Sequence, residues 1–179
     1  GNVVSHTQTL TVQDTTAPVF VEALPADLVL ECSDTIPAAA TLIAADNCAG
    51  IPTVTFVEVN TQGSCPNAFT LTRTWTATDV CGNQTIHTQT IDVEDTTAPV
   101  FVGNLPETVI FANCDAIPEA ATLTATDNCG SATVVYGVPV EVEGDCTNRK
   151  SIIRTWTATD ECGNTSTFTQ TVYLACYVT

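Results

Sequence analysis

Residues 73–83 read RTWTATDVCGN, and residues 154–164 read RTWTATDECGN. In the first copy Trp75 and Ala77 fall on one side of the run, with Thr74, Thr76 and Thr78 on the other. A period of two marks a strand with one buried face and one wet face. β-Branched threonines suit the wet, pleated side. Asp79 and the triplet Cys81-Gly82-Asn83 then supply turn residues that stop the strand. Trp75 and Trp156 are the expected core anchors. Arg73 shares their face by parity, so it either caps one end of the core on a carboxylate or reaches solvent.

The duplication extends along the chain. QDTTAPVFVEALP at 13–25 returns as EDTTAPVFVGNLP at 94–106, and AADNC at 44–48 returns as ATDNC at 125–129. These offsets are all 81 residues, which makes the repeat the first organising feature. One copy is expected over 14–94 and a second over 95–179. Residues 1–13, GNVVSHTQTLTVQ, match GNQTIHTQTIDVE at 82–94. They read as the last strand of a preceding repeat, in a segment cut from a longer array.

About six or seven strands are expected per copy. In the first they run over 19–24, 27–31, 40–45, 53–60, 69–78 and 85–93, separated by Pro, Gly and Asn turns. Thirty-four threonines, no methionine and no sustained 3.6-residue period agree with an all-β chain. The expected fold is a tandem pair of immunoglobulin-like β-sandwich repeats.

Composition narrows the function. The 179 residues carry 20 acidic and 4 basic side chains, a net charge of −16. Nucleic acid and anionic membrane surfaces are excluded as partners, because both need a basic face. No apolar run approaches the roughly 20 residues of a membrane-spanning helix. No signal peptide opens the chain, so a mature or excised segment is expected. An enzyme is not expected. The DTT triplets at 14–16 and 95–97 lack the glycine of aspartic proteases, and His6 and His87 occupy one repeat position with no nucleophile in register.

Nine cysteines point to an oxidising compartment. Four per copy allow three connectivities. Consecutive cysteines are separated by one strand crossing of about 20 Å, whereas bridged Cα atoms lie within about 7 Å. Neighbours in sequence therefore sit at opposite poles. The expected pairs are Cys32–Cys65 and Cys48–Cys81, then Cys114–Cys146 and Cys129–Cys162. Each closes a loop of about 33 residues, on the order of 3–4 kcal/mol in the chain-entropy picture. Cys176 is left unpaired. Zinc is disfavoured, since no close Cys or His pairs occur.

The same pole gathers oxygen. Asp14, Asp46, Asn47, Asp79 and Asn83 converge in copy one, and Asp95, Asp127, Asn128, Asp160 and Asn164 in copy two. Carboxylates with amide and carbonyl oxygens and no histidine suit Ca2+, which takes six to eight oxygens. Turn formation alone also accounts for these residue types. Because Asp95 lies in the linker, a calcium ion there would stiffen the joint between neighbouring repeats of the chain.

DTTAPxF, DNC and RTWTATDxCGN together resemble the repeats of SprB-type gliding adhesins, giant cell-surface proteins of Bacteroidetes. More distantly they resemble hyalin (HYR) repeats, which read DNS and ATDxSGN at the matching places. The resemblance implies a long filament secreted to the bacterial cell surface by the type IX pathway. It also implies a role in surface attachment and gliding motility, gripping the substratum through polysaccharide. A second reading makes the repeats themselves a glycan-binding module.

Overall fold

A computed structural model describes residues 1–48, 50–144 and 149–175. Among the described residues the regular structure is all strand, with no helix. The first repeat contributes β1 (Val19–Phe20), β2 (Leu28–Glu31), β3 (Ala44–Ala45), β4 (Thr53–Gln62), β5 (Phe69–Thr78) and β6 (Gln84–Glu94). The second contributes β7 (Val100–Val102), β8 (Val109–Asn113), β9 (Thr124–Thr126), β10 (Ala132–Tyr136), β11 (Val140–Glu143), β12 (Arg149–Asp160) and β13 (Thr165–Ala175).

The larger sheets run β2-β6-β5-β4 and β10-β12-β13-β8, with β11 also on β12. The smaller sheets are β1-β3 and β7-β9. This is the expected sandwich repeated twice. Strands β12 and β13 pair antiparallel from Arg149↔Ala175 to Thr159↔Thr165, and β8 lies parallel to β13.

Two expected strands are shorter than their sequence pattern. Only Val19↔Ala45 and Phe20↔Ala44 pair in β1-β3, with one further bond from Val21 N–H to Ile43 O at 3.0 Å. The Ile43 N–H is taken by the Glu22 carboxylate at 2.8 Å, so a side chain replaces the next ladder bond. In the second repeat the equivalent of β4 is split into β10 and β11. Pro139 lies in the gap and has no N–H to give the ladder.

The core follows the alternation of the opening motif. Leu71, Arg73, Trp75, Ala77 and Asp79 are buried along and just beyond β5, and Ile152, Arg154, Trp156, Ala158 and Asp160 along β12. Each tryptophan buries a ring worth roughly 4–6 kcal/mol of transfer free energy. Each also satisfies its N–H, on Ala40 O at 3.0 Å and Ala121 O at 2.9 Å. Phe56 leans on Trp75 at 5.2 Å between ring centres, and Tyr136 on Trp156 at 5.0 Å. Arg73 is buried, and Glu58 takes its Nε–H at 2.7 Å, which settles the choice left open by parity in favour of a cap.

Backbone proximity divides the chain into two compact units. The first is Gly1–Leu28, Ile36–Thr61 and Leu71–Ile91; the second is Val29–Thr35, Gln62–Thr70 and Asp92–Thr179. The trailing turns of the first sequence repeat thus group with the second. Residues 1–13 form no strand and are exposed throughout.

Candidate functional site

In each copy the DNC and DxCGN segments form paired turns. Gly82 and Gly163 adopt φ of 90° and 93°, a left-handed backbone that explains glycine at this point of the motif. The preceding aspartate closes the turn. Asp79 Oδ1 accepts the Cys81 and Asn83 N–H groups, both at 2.8 Å. Asp160 Oδ1 accepts those of Cys162 at 2.9 Å and Asn164 at 2.8 Å. Asn83 and Asn164 then donate to the other oxygen of that aspartate, at 2.8 and 2.9 Å. Each asparagine also reaches the linker carbonyl, Asp14 O at 3.3 Å and Asp95 O at 2.9 Å. Asp79 and Asp160 are therefore fully used by protein donors. Burial works to raise their pKa, but the hydrogen bonds from the asparagine and from the turn backbone outweigh it and hold both below the ordinary carboxylate value.

The remaining carboxylates are less well served. Asp46 and Asp127 each give one oxygen to a cysteine N–H, Cys48 at 2.9 Å and Cys129 at 2.8 Å. Their other oxygens, with Asp14 Oδ2, are buried and have no partner. Asp95 and Asp127 offer ligand atoms within 4.8 Å of one another and of Cys129 Sγ, and Asp14 and Asp46 do the same with Cys48. Asp95 titrates above the ordinary value, through burial first and then the charge of Asp127, followed by Asp160 and Glu31. Asn47 and Asn128 turn their amide N–H groups to the neighbouring sulfurs, at 3.6 and 3.1 Å. Asp14 with Asp46, and Asp95 with Asp127, thus have carboxylates within reach of one another, whereas Asp79 and Asp160 are held by their own turns.

The cysteine pairing differs from expectation. Cys32 is bonded to Cys129, with Cα atoms 5.7 Å apart, and Cys65 to Cys162, at 5.1 Å. Both bridges lie inside the second compact unit. They replace the expected Cys32–Cys65 and Cys129–Cys162 pairs. The physical reason is the tandem arrangement. Cys32 and Cys65 sit at the trailing end of one repeat, beside the leading turns of the next, where Cys129 and Cys162 offer closer partners. The expected Cys48–Cys81 bridge is also absent: both are free, exposed thiols on separate turns. Cys114 is disulfide-bonded. Its expected partner Cys146, and Cys176, fall outside the described residues.

Several residues around the Cys32–Cys129 bridge were not anticipated. Cys32 N–H bonds Glu94 O at 2.9 Å. Glu31 accepts the Thr96 N–H at 3.2 Å and its hydroxyl. Asn128 reaches Ser33 Oγ at 3.4 Å, and Asn67 donates to Cys129 O. Only the proximity of Glu31 to Cys32 in sequence signalled any of these.

Residues 104–174 match a family model described as an HYR-like domain with 4 cysteines. No curated protein sequence matches the chain. Among solved structures, the chain is similar over 91% of its length to Drosophila N-cadherin EC1-4, at 15% identity and a TM-score of 0.33. It spans half the length of that structure. It is also similar to human Protocadherin-24 EC1-2 at 16% identity and a TM-score of 0.35, covering 92% of this chain and all of that one. Mouse Cadherin-23 EC22-24 aligns at 13% identity and a TM-score of 0.32, covering 90% of this chain and 67% of that one. The matched segment is thus similar to an HYR-like domain, and its strands form a β-sandwich repeat.

Proposed function

We propose that the chain is a stalk segment of a secreted adhesin filament on a bacterial cell surface, serving attachment and gliding motility. The observation that carries this reading is the pair of bridges joining the two sequence repeats. A disulfide from one repeat to the next adds little to a binding pocket. It matters when tension runs along the chain, because a covalent shortcut then shares the load with the backbone. The sequence resemblance to gliding adhesins adds secretion by the type IX route and a polysaccharide-covered substratum. The motifs used are shared by many surface proteins, so the filament role rests on the bridges first.

Calcium belongs to the same proposal. Asp95 and Asp127, with the carbonyls of the linker and turns, would hold the ion; Asp14 and Asp46 would hold its counterpart. Asp79, Asn83, Asp160 and Asn164 would keep the turns in place around it, with Asn47 and Asn128 beside the sulfurs. The buried, unpartnered oxygens of Asp14, Asp46 and Asp127 fit a cation, since a bare carboxylate oxygen out of water is costly. Bound calcium would offset the repulsion among Asp95, Asp127 and Asp160. The disulfide sulfur is no ligand for so hard an ion.

The second reading, a glycan-binding module, is separated by a glycan array on this chain. The stalk predicts no binding, and saturable binding to one polysaccharide class moves the function into the repeats. Calcium is tested by melting in calcium and in chelator. A higher Tm with calcium is expected by mass action, and equal values remove the ion from the proposal.

A further inference from the structure

Cys48 and Cys81 lie 81 residues before Cys129 and Cys162, in the same motifs. Their turns are closed by the same bonds: Asp46 to Cys48 N–H and Asp79 to Cys81 N–H, as Asp127 to Cys129 and Asp160 to Cys162. Yet the later pair is bridged and the earlier pair is a pair of exposed thiols. The bridges of the later pair come from the trailing end of the repeat before it. A matching donor for the earlier pair would be the trailing end of one more repeat.

A second observation points to that same occupant. Residues 1–13 align with 82–94, so Leu10 and Val12 stand where Ile91 and Val93 stand. Ile91 and Val93 are 0% and 3% exposed in the core, whereas Leu10 and Val12 are 82% and 88% exposed. The segment carries the apolar face of a final strand without a sheet to bury it. A preceding copy would supply that sheet.

We propose that Cys48 and Cys81 are the receiving half of a two-disulfide joint to a preceding copy of this repeat. The partners are that copy's counterparts of Cys32 and Cys65. The inference rests on the reading of the chain as part of a tandem array. Each bridge forms by two exchanges with a disulfide oxidant such as oxidised glutathione. One thiolate attacks the oxidant and releases one glutathione. The second thiolate attacks the mixed disulfide and releases the other. Two protons and two electrons leave the cysteines, one S–S bond breaks and one forms.

The test begins with the chain as it stands. Iodoacetamide without reductant is expected to label Cys48 and Cys81 and to spare Cys32, Cys65, Cys129 and Cys162. The chain is then lengthened by a copy of residues 14–81 placed ahead of Gly1, so that residues 1–13 become the last strand of the added copy. After refolding with oxidised glutathione, peptide mapping is expected to link the added copy's two trailing cysteines to Cys48 and Cys81. Cys48→Ser with Cys81→Ser in the lengthened chain should leave those trailing cysteines open to alkylation, with Cys32–Cys129 and Cys65–Cys162 retained as the sign of folding. A Cys48–Cys81 bridge, dimers disulfide-linked through Cys48 or Cys81, or alkylated Cys48 and Cys81 in the lengthened chain overturns the proposal, as does absence of the Cys32–Cys129 and Cys65–Cys162 bridges. A failed joint with a silent glycan array would leave the stalk standing and remove only its stitching.

Discussion

Arg73 and Arg154 occupy equivalent places on equivalent strands, and the two repeats treat them differently. Arg73 donates to the Glu58 carboxylate at 2.7 Å and to Pro37 O at 2.9 Å. Arg154 has Pro139 at the position of Glu58. It keeps the bond to Pro118 O, the counterpart of Pro37, and turns to Gln170 at 3.2 Å and Glu119 O at 3.4 Å, with its Nε left buried without a partner. One substitution thus removes a charge partner and also interrupts the edge strand between β10 and β11. The second repeat bears both defects and lies in the compact unit that holds both observed bridges. Covalent tethering tolerates a weaker polar core, because the cost of an unpartnered group is small beside a closed loop of this length.

The largest expected effect breaks the tether itself. Cys32→Ser with Cys129→Ser opens a loop with a sequence separation of 97 residues. In the chain-entropy picture a loop of that size is worth about 4–5 kcal/mol. The two bridges interleave, so the second adds less than the first. Urea unfolding of the double variant should show the loss in the second unit, with the first unit's transition unchanged. A uniform loss across both would end the comparison.

Next come the tryptophans. Trp75→Ala and Trp156→Ala should each cost about 3–5 kcal/mol, as each leaves a cavity and an unpaired carbonyl. Near-UV circular dichroism during thermal melting reads them separately. The second unit, which holds Trp156 and both bridges, should keep more residual structure, since the tethers restrict its unfolded chain.

A smaller and sharper test concerns the arginines. Glu58→Gln leaves a guanidinium that is almost fully buried with a weaker acceptor. Because the Glu58 side chain is 39% exposed, the expected loss is only about 1–2 kcal/mol. Pro139→Glu restores both an acceptor for Arg154 and a ladder N–H. It should raise the Tm of the second unit by a few degrees. A fall would show that Gln170 already satisfies this site.

The smallest effect is set by pH. Asp79 and Asp160 titrate below the ordinary value. Their stabilisation is therefore complete above that value and is lost as pH falls through their lowered one. Asp95 is raised, so it favours the folded chain only below the ordinary value and works against it once pH rises past its own. Asp95→Asn should therefore raise the Tm at neutral pH in chelator and reduce any gain from calcium. Asp160→Asn should flatten the acid limb. Thermal melts across pH 3–8 show both signs.

Much of this was legible in one repeat. The alternation of residues 69–78 announced the buried face, and DxCGN announced a turn that Gly82 and Gly163 make with left-handed backbone. What one repeat could not reveal was the partner of each cysteine. Strand crossings within a single copy compare only the cysteines of that copy. The closer thiols lay one repeat further on. The shortening of β1 and β3 was hidden for a related reason: the acceptor for Ile43 N–H is a side chain 21 residues away, invisible to any periodicity. The freedom of the carboxylates was also hidden. Spacing gathers Asp127 and Asp160 equally, and only the hydrogen bonds show that Asp160 is spent on its own turn.

The interleaving of Cys32–Cys129 with Cys65–Cys162 has a consequence for life outside a cell, where proteases are abundant. Any single cut between Cys32 and Cys129 leaves the two fragments tied by the first bridge, and any between Cys65 and Cys162 leaves them tied by the second. No one peptide bond from Cys32 to Cys162 is therefore indispensable to the continuity of the molecule. Between Cys65 and Cys129 it is secured twice. A chain built this way can be nicked anywhere from Cys32 to Cys162 and still be a single molecule.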